Sequence, residues 1–205
     1  MTEEPPRPVV GEDLSDAVLA GQRWERRTFE GCSFVDADLS RLSTRGCVFT
    51  HCDFTLADLG DSEHRGTAFR SCTFRRTTLS GATLDGCSLL GSAFTECRLR
   101  PITITATDLR LAGLGGADLR GVTLSGLRLV EANLADADLR KADLRDSDLR
   151  GARLLAARFT EADLRGARLD ADGLVQAVLR GARVDLGTAV AYAGAHGLVV
   201  DPTGE

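Results

Sequence analysis

The residues of this 205-residue chain that could attack a bond, hold a metal or move a proton are six cysteines, three histidines and thirty carboxylates. The densest grouping, Cys47-x-x-x-His51-Cys52, has the look of a metal-ligand set. Zinc, however, needs four convergent N or S donors. A spacing argument separates these residues instead. All six cysteines (Cys32, Cys47, Cys52, Cys72, Cys87 and Cys97) lie multiples of five apart, whereas His51 is out of that phase. A small, regularly spaced Cys acts as a compact apolar residue, and a reducing compartment argues against disulfides. His64 falls on a position otherwise apolar and reads as a buried residue rather than a base. His196 has no Cys or carboxylate motif beside it. Asp118, Asp138, Asp143, Asp148 and Asp163 follow a repeat, so their spacing gives no acid–base pair. No Gly-rich phosphate loop, HExxH or GxSxG motif is present. The sequence predicts no enzyme, no cofactor and no metal.

The same spacing defines the elements that carry these residues. Every fifth position from Leu14 to Val184 is large and apolar: of 35 members, 32 are Leu, Phe, Ile or Val, one is Trp24, and only Thr44 and His64 are polar. All eight phenylalanines are in this register. Two residues earlier runs a second series, in which 28 of 35 members are Ala, Cys, Ser, Thr or Val. A period of five suits neither a strand nor a helix, because neither would keep the series on one face. A chain that turns a corner every five residues does keep it there. Four sides then close a coil of about 20 residues, with coils stacked at about 4.8 Å. The spacing predicts that Phe34, Phe54, Phe74 and Phe94 form one ladder and Phe29, Phe49 and Phe69 another. Trp24, Thr44 and His64 fall on one side in successive coils and mark a weakly packed wall. Gly81, Gly86, Gly121 and their equivalents suit tight corners. Pro101, which has no N–H, and the large Ile102 in a small-residue slot mark an irregularity within the array.

The repeat Ala137-Asp-Leu-Arg-Lys141 and its neighbours resemble the pentapeptide-repeat family, with signature A-(D/N)-L-x-x. Five stretches (38–42, 63–74, 97–101, 115–121 and 189–198) are similar to the fluoroquinolone-resistance branch of that family. The resemblance implies an all-β solenoid, a right-handed quadrilateral β-helix, closed by a short C-terminal helix. It also implies a homodimer joined end to end through that helix and a partner, DNA gyrase, which the rod binds as a DNA mimic.

Four segments are expected: a disordered lead-in at 1–11, the β-helix at 12–185, a helix at 186–199 and a tail at 200–205. Thr188 is expected to cap the helix, with Gly197 as its stop. Thr188, Ala189, Val190, Tyr192, Ala193 and Leu198 are the expected dimer contacts. No stretch approaches the ~20 apolar residues of a membrane span and no secretory signal is evident, so a cytoplasmic protein is expected.

Without catalytic motifs, function must lie in shape and outward charge. The net charge of −5 is modest. Sorting residues by corner places Asp16, Asp36, Asp38, Asp58, Glu96, Asp118, Asp136 and Asp138 along one edge, opposed there only by Arg76, Arg98 and Arg158. Arg100, Arg120, Arg140 and Arg180 line the adjacent side. The acidic edge is the expected gyrase-binding surface. Direct nucleic-acid binding is not expected, because no aromatics interleave the basic residues and the net charge is negative. The alternative is a scaffold rod that binds a protein other than a topoisomerase.

Overall fold

The computed structural model describes residues 7–201. Its backbone pairing has one rule: each pair joins residues twenty apart, in parallel. Along one side the pairing runs Asp13, Ser33, Asp53, Thr73, Ala93, Gly113, Asn133, Arg153. The chain is therefore a four-sided parallel β-solenoid with a short C-terminal helix, as the period of five requires.

Eleven short strands occupy the first half. They are β1 (Val9–Val10), β2 (Arg23–Glu25), β3 (Thr28–Glu30), β4 (Ser43–Arg45), β5 (Val48–Thr50) and β6 (Glu63–Arg65). The remainder are β7 (Ala68–Arg70), β8 (Thr73–Arg75), β9 (Thr83–Asp85), β10 (Ala93–Thr95) and β11 (Thr103–Thr105). Beyond β11 the sides are single bridges flanked by turns. An Asp or Asn as the first residue of a side selects the turn. None of the three-residue strands begins with Asp or Asn. Where Asp or Asn stands there, its side chain takes the N–H two residues on, as Asp38 does with Ser40 (3.0 Å), Asp53 with Thr55 (2.9 Å) and Asn133 with Ala135 (3.2 Å). That local bond competes with strand pairing and turns the chain.

Corners repeat the left-handed conformation whatever residue occupies them. Eighteen positions with side chains have positive φ, from Asp16 at 58° to Glu161 at 61°. At Gly81 a Cβ would also meet the Asp61 carboxylate, which would have to swing aside.

The large series fills the interior. Phe34, Phe54, Phe74 and Phe94 stack at 4.9, 4.9 and 4.6 Å, within 4° of parallel. Phe29, Phe49 and Phe69 stack at 4.9 Å each, and the two ladders meet edge to face at 5.5 to 6.0 Å. Cysteine thiols sit in the small slot and donate to backbone carbonyls, Cys52 to Phe29 and Thr50, Cys72 to Phe49 and Arg70.

The wall of Trp24, Thr44 and His64 is not weakly packed. All three are buried. Thr44 Oγ1 bonds His64 Nδ1 at 2.8 Å and Thr67 Oγ1 at 2.8 Å, and His64 Nε2 bonds Ser62 Oγ at 3.0 Å. Two polar residues in the large series satisfy each other across successive coils, and hydroxyls in the small series complete the network.

The ends also differ from expectation. The solenoid begins earlier than residue 12, because Val9 is in phase with the large series and pairs with Phe29. Of the expected lead-in, residues 1–6 lie outside the described residues, as do 202–205 of the tail. At the other end the wall is interrupted by a turn of helix, α1 (Ala171–Val175), which packs on α2 (Leu186–Ala195). The cap of α2 is Asp185, not Thr188: its carboxylate accepts the Thr188 N–H at 2.8 Å and also the Gly166 N–H at 3.1 Å. An Asp ends the repeat and starts the helix with one side chain. The helix ends at Ala195, short of the expected 199, and Gly197, at φ 82°, is the stop that the sequence predicts just beyond its C-cap.

Candidate functional site

The acidic edge divides in two. Asp16, Asp36, Asp58, Glu96 and Asp136 are exposed and Asp38 is half-buried, and none of the six has an ion-pair partner among the described residues. Asp38 and Asp58 stand in register one coil apart, and their oxygens bond the Ser40 and Gly60 N–H groups. Hydrogen bonds from Ser40 hold the Asp38 carboxyl below the usual carboxylate range.

Asp118 and Asp138 sit on the same edge but are already occupied. Arg120 grips Asp118 with Nε at 2.7 Å and Nη2 at 2.6 Å, and Arg100 approaches it at 3.4 Å. Asp138 is only 6 % exposed. It accepts Arg140 Nε and Nη2 at 2.8 Å each and Arg158 Nη2 at 3.0 Å. These Arg bonds outweigh burial and hold both carboxyls below the ordinary range. Bidentate Arg–carboxylate pairs are the stronger kind of charge-assisted bond. The structure thus corrects the expected division into an acidic edge and a basic side. Arg120 and Arg140, read as unopposed, are the partners of Asp118 and Asp138.

The motif behind this is Asp-Leu-Arg. Around a turn, the inward Leu leaves the residues on either side of it pointing outward together. Six such motifs close the same fork, at Asp108–Arg110, Asp118–Arg120, Asp138–Arg140, Asp143–Arg145, Asp148–Arg150 and Asp163–Arg165, with Nη2 to Oδ2 distances of 2.6 to 2.8 Å. The Arg165 fork brings Asp163 down to about 2. In the first half, Asp13, Asp38 and Asp58 are followed two residues on by Ser15, Ser40 and Gly60, which carry no charge. Among the described residues, only one of thirteen ion pairs lies wholly before residue 100, Arg65–Glu63 at 3.8 Å. The −2 charge of residues 7–201 is shared evenly, 12 bases against 13 acids up to Arg100 and 13 against 14 beyond it. The halves differ in pairing, not in sum.

The rod's C-terminal end is apolar. Leu186, Val190, Leu198, Val199 and Val200 are exposed, Leu198 by 64 % and Val199 by 98 %. Of the expected dimer residues, Ala189, Val190 and Leu198 face outward. Tyr192 instead packs against the chain's own core and lies edge-on to His196 at 4.6 Å. Leu186, Val199 and Val200 were not among the expected contacts. Their apolar character was visible, but the end of the helix was not.

Cys47, Cys52 and His51 do not converge. Both thiols are buried while His51 is exposed at a corner. Among the described residues, no group of three His, Cys, Asp or Glu is placed to hold a metal, and no helix is long and apolar enough to cross a membrane.

Two family descriptions match the sequence, "Pentapeptide repeat region" over residues 22–92 and "Pentapeptide repeats (8 copies)" over residues 128–166. The chain is 54 % identical over 97 residues to the pentapeptide repeat protein MfpA of Mycobacterium tuberculosis, a match covering 47 % of this chain. It spans about half the length of that relative, 53 %. Among solved structures, full-length QnrB1, described as a plasmid-mediated fluoroquinolone resistance protein, is similar with a TM-score of 0.81 and 25 % identity. That similarity covers 93 % of this chain and 97 % of QnrB1. A trypsin-treated variant of QnrB1 aligns with a TM-score of 0.81 and 26 % identity over 95 % of this chain and 97 % of its own.

Proposed function

The chain belongs to the pentapeptide-repeat family, and from that premise we propose that it is a non-enzymatic fluoroquinolone-resistance protein that binds DNA gyrase in place of a DNA segment. The observation that carries this reading is the similarity of nearly the whole rod to QnrB1, described by that resistance. The surface supports it through Asp16, Asp36, Asp38, Asp58, Glu96 and Asp136. These carboxylates lack arginine partners, so a basic channel gains their charge without first breaking an ion pair. Asp118 and Asp138, by contrast, are already paired with arginines.

Size is consistent with this role. Seven ladder steps from Asp13 to Arg153 span roughly 34 Å at about 4.8 Å each. Two rods joined through the apolar end formed by Val190, Leu198 and Val199 would reach about 70 Å, the length of roughly 20 base pairs. Burying exposed apolar residues against a second copy is the common route to a two-fold dimer.

Purified gyrase, assayed for supercoiling with and without ciprofloxacin, tests the proposal. The expected result is inhibition of supercoiling, or fewer drug-induced double-strand breaks, at micromolar protein. An unchanged assay together with no measurable binding to gyrase would remove the topoisomerase and leave the scaffold reading.

A further inference from the structure

The ladder is broken on two of its four sides at one level of the rod. Arg98 pairs back to Thr78 and Thr103 back to Thr83, but neither pairs forward, whereas Asp118 and Thr123 pair forward only. The other two sides stay closed through Ala93–Gly113 and Asp108–Arg128. In the coils on either side, the equivalent bonds are Leu79 N–H to Arg98, Leu119 N–H to Asp138 and Asp143 N–H to Val122, at 2.8 to 3.1 Å. Among the described residues, the N–H groups of Leu99, Ile104, Asp118 and Thr123 make no such bond.

This break opens a groove of about 560 Å³ beside β11, which is the edge strand of its five-stranded sheet. Ile102 and Ile104 contribute apolar surface, and Arg100 and Arg120 stand at its mouth. The groove continues past Arg120 to Arg140 and Lys141. Arg120 and Arg140 already hold carboxylates, but the Arg100 side chain reaches only Asp118, at 3.4 to 3.5 Å, and Lys141 only Glu161, at 3.7 Å. These are long for charge-assisted bonds, so both cations keep capacity for another anion. Unpaired strand edges recruit extended chains through their backbone.

We propose that this break is a docking site for an extended, carboxylate-bearing peptide segment of a partner protein. The segment adds a strand to the free edge of β11 while its carboxylates meet Arg100 and Lys141. Three residues of edge match about 10 Å of extended chain at ~3.3 Å per residue. A duplex phosphate backbone has no use for the strand edge, and a basic peptide would face the arginines. The inference does not depend on gyrase.

The test uses the full-length protein and two fluorescein-labelled hexapeptides, one of alternating Val and Glu, the other of alternating Val and Lys. Amide exchange of the free protein should show Leu99, Ile104 and Thr123 exchanging much faster than Leu79, Leu119 and Leu124. The acidic peptide should bind and slow those amides, and the basic one should not. Thr123→Pro removes an N–H that has no partner, and Arg100→Glu reverses the charge. Each should weaken the acidic peptide at least tenfold with the melting temperature unchanged. The proposal is overturned if those amides are protected in the free protein at all concentrations, which would mean a closed ladder. It is also overturned if their protection rises with protein concentration, which would mean a second copy fills the break. Equal binding of both peptides, binding of neither, or full affinity in both variants at unchanged melting temperature would overturn it as well.

Discussion

The rod has two halves built on one repeat but stabilised differently. Before residue 100 two of the four inner walls carry an aromatic double ladder, three-residue strands are interspersed with single bridges, and outward carboxylates stand mostly alone. Beyond it the interior is almost all leucine, the sides after β11 are single bridges up to α1, and six Asp-Leu-Arg forks clamp the surface. A carboxylate spent on its own arginine is poorly available to a partner. One that is unpaired contributes little to the fold but is ready for a basic target. In the proposed function, five of the six unpaired carboxylates of the recognition edge therefore lie in the first half, with Asp136 in the second, while the forks reinforce the surface of the second half.

The largest expected effects come from the two interiors. Leu119, 1 % exposed, is surrounded by apolar residues, so Leu119→Lys should cost several kcal/mol and unfold neighbouring coils. Phe54→Ala breaks a stacked ladder and should cost about 4 kcal/mol, while Leu139→Ala should cost about 3 kcal/mol. Chemical denaturation measures both. Equal losses would erase the distinction between the cores.

Acid should act on the first half alone at mild pH. Burial brings His64 down to about 4 from an ordinary 6.5. The unfolded chain takes up that proton below pH 6.5, and the folded one only near pH 4. Stability is therefore complete above 6.5 and falls by roughly 3 kcal/mol as pH drops toward 4. The carboxylates of the forks, held low, lose their contribution only below the ordinary Asp range. His64→Leu should flatten stability between pH 6.5 and 4. A slope that survives this substitution would place the titration elsewhere.

Surface substitutions separate the halves next. Asp138→Asn disrupts a fork at a nearly buried carboxylate and should cost about 2 kcal/mol, whereas Asp58→Asn should cost under about 0.5 kcal/mol. Matching melting temperatures for the two variants would contradict the division. An effect of the opposite sign is expected at a corner. Leu111, exposed with φ 58°, occupies a conformation glycine adopts freely, so Leu111→Gly should stabilise by about 1 kcal/mol.

Much of the fold was legible because a period of five leaves so few solutions. The large series and the phenylalanine ladders follow from phase alone, and the break at Pro101 from a residue without an N–H beside a large residue in a small slot. What escaped was pairing within the surface. Asp118, Asp138, Arg120 and Arg140 were sorted into an acidic edge and a basic side, because phase gives a column but not the turn that folds residues i and i+2 together. The Thr44–His64 network was missed for a related reason: a polar residue in an apolar series looks like a defect until its neighbour twenty residues away is also polar. Asp185 as a cap and α1 as an interruption lie where the repeat ends and its logic no longer applies.

The central claim of the proposed function is that the unpaired carboxylates of one edge, most of them in the first half, recognise the target. Gyrase binding by a quadruple variant, Asp16→Lys, Asp36→Lys, Asp38→Asn and Asp58→Lys, tests it most directly, with Asp61→Lys, Glu63→Lys, Asp85→Lys and Glu30→Lys on other edges of the same half as the control. Both sets should fold like the parent. The first should lose at least tenfold in affinity, with the parent's binding weakening as salt rises, and the control should lose far less. Equal losses from the two sets, or binding by the parent that ignores salt, would contradict the account.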